Sequence, residues 1–153
     1  MFELDNKVII ISGASSGIGR TCAISCSQQG AKVALLGRDQ NRLKETLSHL
    51  TGDGHKFYIQ DLVEYDKLVN LVKAIVEDLG NISGFIHSAG IEIVLPLKLT
   101  EPKHFERALA LNVVSAFELT KNIIKKKHVN PDGASIVYCK CNGHYRSTSK
   151  NCL

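Results

Sequence analysis

The chemistry most legible in this chain is the binding of phosphate. Gly13, Gly17 and Gly19 sit in Ser12-Gly13-Ala14-Ser15-Ser16-Gly17-Ile18-Gly19, directly after the apolar run Val8 to Ile11. A turn of this kind, feeding a helix, aims backbone N–H groups and the positive end of the helix dipole at an anion. Lacking a Cβ, Gly13 can make the sharp turn and Gly17 can let N–H groups approach a pyrophosphate. Gly19 would let the helix lie close on the strand. Ser12, Ser15 and Ser16 add hydroxyl donors. Ile18, Cys22, Ala23 and Cys26 mark one face of the expected helix, which Gly30 stops. A second apolar segment begins at Lys32, so strand, turn, helix and strand follow in the order that a dinucleotide requires.

The remaining elements must hold this turn in place. Lys32 to Leu36 reads as a strand, and residues 41–50 as a helix with Leu43, Leu47 and Leu50 inward. A turn at Thr51-Gly52-Asp53-Gly54 leads into a strand over 56–60. Residues 66–79 form an amphipathic helix burying Leu68, Val69, Leu71, Val72, Ile75, Val76 and Leu79. Ser83 to His87 is a short fourth strand. One long helix is expected from Pro102 to Lys127, with Pro suited to its first turn. Ala134 to Val137 opens a fifth strand. Such alternation specifies an α/β fold: a Rossmann-type doubly wound parallel sheet, incomplete, of about five strands. Right-handed crossovers place the ligand at the carboxyl ends of the strands, beside the glycine turn. Residues 1–137 form the dinucleotide-binding domain. Residues 138–153 show neither helical nor strand periodicity and read as an irregular tail.

A length of 153 residues suits one domain with a sizeable core. The net charge of +4 is uneven: Lys140, Arg146 and Lys150 give the tail +3 and leave +1 for residues 1–137. These bases are scattered, with no helical stripe or aromatic platform, which argues against a nucleic-acid partner. No apolar stretch reaches membrane-spanning length and no basic-then-apolar leader opens the chain, so a cytoplasmic location without membrane association is expected. Five cysteines without a secretion signal are expected as free thiols. Cys139, Cys141, His144 and Cys152 do not follow the paired spacing of a zinc site, so no metal is expected.

These segments together resemble the N-terminal part of a short-chain dehydrogenase/reductase, in the style of the 3-oxoacyl-acyl-carrier-protein reductases. Ser12 through Gly19 match the cofactor loop, with Ser at a position where the family usually has Thr. Gln60-Asp61-Leu62 matches the acidic position after the third strand, which implies that Asp61 holds the adenine amino group with Leu62 beside it. His87-Ser88-Ala89-Gly90 resembles the family's Asn-Asn-Ala-Gly turn with both Asn positions changed; Ala89 and Gly90 would still border the cofactor. Leu111-Asn112-Val113 puts an Asn where the family anchors a proton-relay water. Asn is also a poor helix former on an otherwise apolar face, which favours a functional reason for Asn112. At the end of the second strand an acid would accept the ribose hydroxyl of NAD, whereas a base suits the extra phosphate of NADP. Gly37-Arg38-Asp39 favours NADP through Arg38, while Asp39 leaves NAD open.

The resemblance implies hydride transfer between NADP(H) and a small carbonyl, alcohol or acyl-thioester substrate, 3-oxoacyl groups being one class. That chemistry uses a Ser after the fifth strand and a Tyr-x-x-x-Lys about thirteen residues later, the Tyr acting as acid/base. This sequence carries neither; Tyr145 and Lys150 are five apart. The tail can be back-translated so that a one-base shift yields Ile-Ala-Ser-Val-Met-Gly-Ile-Ile-Gly-Gln-Pro-Leu-Lys-Ile-Ala followed by Tyr, the family's next segment. A shifted reading frame near codon 138 and a premature stop are therefore expected, giving a truncated, inactive product with an exposed fifth strand. Of the two long helices that the resemblance implies for the oligomer interface only the first remains, so a homo-oligomer is not expected. The alternative is a non-enzymatic dinucleotide-binding or interaction module.

Overall fold

The computed structural model describes residues 4–139, and the order of its elements follows the apolar pattern closely. Strands β1 (Val8–Ser12), β2 (Lys32–Gly37), β3 (Lys56–Ile59), β4 (Ile82–His87) and β5 (Ser135–Tyr138) form one sheet in the order β3-β2-β1-β4-β5. Every pairing is parallel, with Val8 to Ser12 opposite Lys32 to Leu36 on one side and Ser12 opposite His87 on the other. β1 is buried throughout, as expected of a central strand covered on both faces. The chain reverses direction across the sheet after β3, and the crevice at that switch point lies between the ends of β1 and β4.

Two cores flank the sheet because alternate residues point to opposite faces. On one face Ile9, Ile11, Val33 and Leu35 pack with Ala23 of helix α1 (Gly17–Gln28) and Leu43 of α2 (Gln40–Ser48). On the other, Val8, Ile10, Leu36 and Phe85 pack with Leu68, Val72 and Ile75 of α3 (Tyr65–Leu79) and with Leu119 and Ile123 further along. The buried side of α1 consists of Gly19, Ala23 and Ser27, with Cys22 and Cys26 half-buried. Ile18, expected on that side, is exposed instead.

The expected single helix over 102–127 is corrected by the structure. It divides into α4 (Pro102–Leu109), a π-helical turn (Ala110–Val114) and α5 (Ser115–Ile123). Asn112 lies inside the π turn, and its side chain is engaged with the backbone of Ile91 rather than with its own helix. Single π turns inside α-helices arise where a residue is inserted, frequently at functional sites. Side chains hold the widened turn: Tyr65 of α3 donates its hydroxyl to the Ala110 carbonyl (3.1 Å), and Ser115, the next residue of the helix, donates to the Leu111 carbonyl (2.6 Å).

Candidate functional site: a cleft at the carboxyl ends of the strands

The turn after β1 is held by both of its neighbours. Ala14 donates its N–H to the Leu36 carbonyl at 3.1 Å. From α2, the buried Thr46 hydroxyl donates to the Ala14 carbonyl at 2.9 Å. Arg20 of α1 reaches across the same junction, donating to Thr46 Oγ1 (3.0 Å), the Ser15 carbonyl (2.9 Å) and both oxygens of Glu45. That bidentate bond holds the Glu45 carboxyl below its ordinary range. The glycines have separate tasks. Gly13 adopts φ +69°, and a Cβ there would come within 2.7 Å of the Ala89 nitrogen. A Cβ on Gly19 would come within 2.3 Å of the Gly13 carbonyl oxygen. Gly17 has φ +54° and open space where a Cβ would stand, so its glycine answers to backbone conformation and to an open approach.

Helix α1 therefore presents an unobstructed N-terminus. Ser16 at the N-cap makes no side-chain capping bond and the first turn carries no acid. Its leading N–H groups are orphan donors facing the cleft, the arrangement that receives an anion. The cleft, of about 290 Å³, is lined by Gly13, Ser15, Ser16, Gly17, Ile18, Gly37, Arg38, Gln60, Asp61, Leu62, Ser88, Ala89, Gly90 and Leu111. The glycine turn forms its floor. Arg38 and Asp61 stand at one end, their charges 3.7 Å apart and both open to water. Asp39 is occupied as the N-cap of α2, where its carboxylate accepts the Arg42 N–H at 3.1 Å.

The structure thus brings together Gly13, Ser15, Ser16, Gly17, Ile18, Arg38, Asp61, Leu62, Ala89 and Gly90. Three expected site residues stand behind that wall. Gly19 lies beneath the turn. Ser12 is fully buried, and the hydroxyl that the sequence offered to phosphate is used inside the protein: its oxygen lies 2.8 Å from His87 Nδ1 and receives the Ser88 and Ala89 amides at 3.3 Å. Asn112 clamps the segment after Gly90, accepting the Ile91 N–H at 2.8 Å and donating to the Ile91 carbonyl at 2.9 Å. Sequence reasoning missed Gly37, Gln60, Ser88 and Leu111 as lining residues, and Arg20 and Thr46 as supports. Each of the four lining residues adjoins an expected site residue, Gln60 beside Asp61, Gly37 beside Arg38, Ser88 beside Ala89 and Leu111 beside Asn112, whereas Arg20 and Thr46 carried no signal. His87, 3% exposed, departs from the family turn in sequence, but its burial against the Phe85 and Tyr138 rings is not readable there. Burial pushes its pKa down to about 4, against a smaller opposing influence from the Leu111 and Ala89 backbone.

Among the described residues no three His, Cys, Asp or Glu side chains converge as a metal site, and no helix is long and apolar enough to cross a membrane. Cys22, Cys26 and Cys139 are free thiols. Cys141, His144, Tyr145, Lys150 and Cys152, with the rest of the basic tail, lie outside the described residues.

Known proteins share both the sequence pattern and the architecture. The chain is 30% identical over 141 residues to the oxidoreductase YciK of Escherichia coli K12, covering 88% of this chain and 56% of that protein. It is 29% identical over 143 residues to gluconate 5-dehydrogenase of Gluconobacter oxydans, covering 92% and 55%. The citronellol catabolism dehydrogenase of Pseudomonas aeruginosa PAO1 superimposes with a TM-score of 0.77 at 31% identity, over 88% of this chain and 55% of that one. A short chain dehydrogenase of Escherichia coli CFT073 complexed with NADPH gives 0.79 at 29% identity, over 88% and 58%. The chain spans about half the length of these relatives. With residues 7–149 matching the short chain dehydrogenase family model, and with a five-stranded parallel sheet whose switch point carries the glycine turn, the chain belongs to the short chain dehydrogenase family.

Proposed function

We propose that this chain forms the dinucleotide-binding half of an NADP(H)-dependent oxidoreductase, one that moves hydride between the cofactor and a carbonyl or alcohol, with 3-oxoacyl thioesters as one substrate class. The observation that carries the reading is the cleft itself: uncapped helix N–H donors and the glycine turn at its floor, with Arg38 at one end. The pyrophosphate would lie on Gly13 to Gly19 and the adenine beside Asp61 and Leu62. Ala89 and Gly90 would border the far half. The cofactor would supply the hydride, and this chain's residues would bind and orient it. Asn112 would act from behind, by fixing the segment after Gly90.

Two facts support NADP over NAD. Asp39, the acid that could accept a ribose hydroxyl, is committed to capping α2. Among the described residues Arg38 pairs only with Asp61, a solvent-exposed interaction of little net strength that a phosphate can replace. Because the sequence has no Tyr-x-x-x-Lys, the chain alone is proposed to bind cofactor without turnover. Calorimetric titration with NADPH and NADH tests the reading. NADPH should bind about tenfold more tightly than NADH, and Arg38→Ala should remove the difference. Binding of neither nucleotide, or a preference for NADH, overturns it. A panel of carbonyls including a 3-oxoacyl thioester should show no oxidation of NADPH; clear turnover overturns the proposed inactivity.

A further inference from the structure

We infer that His87 is the positioning residue of the Ser88–Gly90 turn: its Nδ1 accepts the hydrogen bond that the Ser12 hydroxyl donates and so commits the Ser12 oxygen to holding the Ser88 and Ala89 amides. Ser12 Oγ has three close polar neighbours: His87 Nδ1 at 2.8 Å, and the Ser88 and Ala89 nitrogens at 3.3 Å each. A hydroxyl has one proton to give and two lone pairs to receive. The two amides can only donate, so they take the lone pairs, Ser88 sharing its N–H with the Ser12 carbonyl at 3.2 Å. The Ser12 proton then has one destination, the shortest of the three contacts.

This fixes the tautomer. Nδ1 must be bare, so the neutral ring carries its proton on Nε2. Among the described residues Nε2 is enclosed with no hydrogen-bond partner, and the His87 ring centroid lies 5.9 and 6.2 Å from those of Phe85 and Tyr138. An unpaired buried donor is costly, and the fold tolerates it for a reason visible at Ser12. In the other tautomer Nδ1–H would also donate to Ser12 Oγ, setting three donors against two lone pairs and leaving the hydroxyl proton without an acceptor. One orphan at Nε2 keeps three bonds at Ser12. The consequence reaches the cleft, because Ser88, Ala89 and Gly90 line it and Ala89 abuts Gly13 so closely that no Cβ would fit between them. His87 also anchors the neighbouring strand, its carbonyl accepting the Cys139 N–H at 2.9 Å.

The inference deepens the cofactor reading and rests on it only for the affinity readout. The full chain, labelled with ¹⁵N and ¹³C at histidine, should show the Nε2–H tautomer at His87; an Nδ1–H tautomer overturns the inference. Amide exchange at Ser88 and Ala89 should quicken about fivefold to tenfold in His87→Leu, which fills the space without an acceptor. It should remain near wild type in His87→Asn, whose side-chain oxygen restores an acceptor near the δ position. Unchanged exchange in His87→Leu also overturns it. Should that variant not fold, the wild-type tautomer decides the role of His87, and unchanged amide exchange in Ser12→Ala overturns Ser12 as the acceptor of the two amides. NADPH affinity should follow the same order among the variants. If the wild type shows the expected tautomer and exchange but binds no NADPH, the cofactor reading fails and the positioning role stands.

Discussion

Replacing Gly19 with Ala sets two physical effects in opposition, so the sign of the outcome is diagnostic. Gly19 lies in the first turn of α1 with no positive φ, and helix propensity alone favours Ala there by about 1 kcal/mol. Packing argues the other way. The added carbon would stand 2.3 Å from the Gly13 carbonyl oxygen, 2.7 Å from its carbonyl carbon and 3.1 Å from Ala14 Cα. All three are backbone atoms, so no rotamer change relieves the overlap. Restoring ordinary contact requires α1 to move by about 1 Å from the turn, a shift typical of overpacked cores that cost about 1–3 kcal/mol. With the upper end of that range set against the propensity gain, Gly19→Ala should lose about 2 kcal/mol, lowering Tm by about 4–8 °C at this chain length. Because the displaced helix carries the N–H donors of the cleft, NADPH affinity should fall at least tenfold, or about 1.4 kcal/mol. Thermal unfolding followed by circular dichroism, with a parallel NADPH titration, checks both. A variant as stable as wild type or more so, with undiminished affinity, would refute the claim that Gly19 is required for close approach.

Two further outcomes follow from the supports of the cleft. Asn112→Ala removes both bonds to the Ile91 backbone and should cost about 2–3 kcal/mol, with accelerated exchange at the Ile91 amide; an unaffected urea midpoint would show that the clamp does not hold the segment. Acid should act through His87. Its folded pKa of about 4 lies below the ordinary 6.5, so between those values the unfolded chain binds a proton that the folded one refuses. The stability His87 confers by staying neutral is complete above pH 6.5 and declines as pH falls toward 4, by about 3 kcal/mol in total. Urea unfolding at pH 7 and pH 4.5 should show wild type losing about 2–3 kcal/mol more than His87→Asn, and equal losses would count against the buried neutral imidazole.

Much of this protein could be read from the chain because its signals are local and repeated. Val8 to Ile11 is apolar without alternation, which is what a strand covered on both faces demands. The period of 66–79 picked out Leu68, Leu71, Val72, Ile75 and Leu79 as the buried side of α3, whereas Val69 and Val76, expected there too, are half-buried. The glycine spacing located the cleft, since φ above zero and close backbone approach exclude other residues at defined points of a turn. The charge at the end of β2 placed Arg38 at the cleft mouth. Other features were decided only when distant segments met. The helix over 102–127 carries no Gly or Pro after its first turn, and its π turn falls where Asn112 bonds to Ile91, 21 residues earlier. Ser12 reads as a phosphate donor until His87, 75 positions away, is found 2.8 Å from its hydroxyl. Arg20 and Thr46 carry no mark of the junction that they build, since the atoms they bind belong to three separate elements. Periodicity and backbone freedom act between near neighbours and so are written in sequence order. A hydrogen bond is chosen by whichever partner the packed sheet brings within 3 Å, and that choice belongs to the tertiary structure.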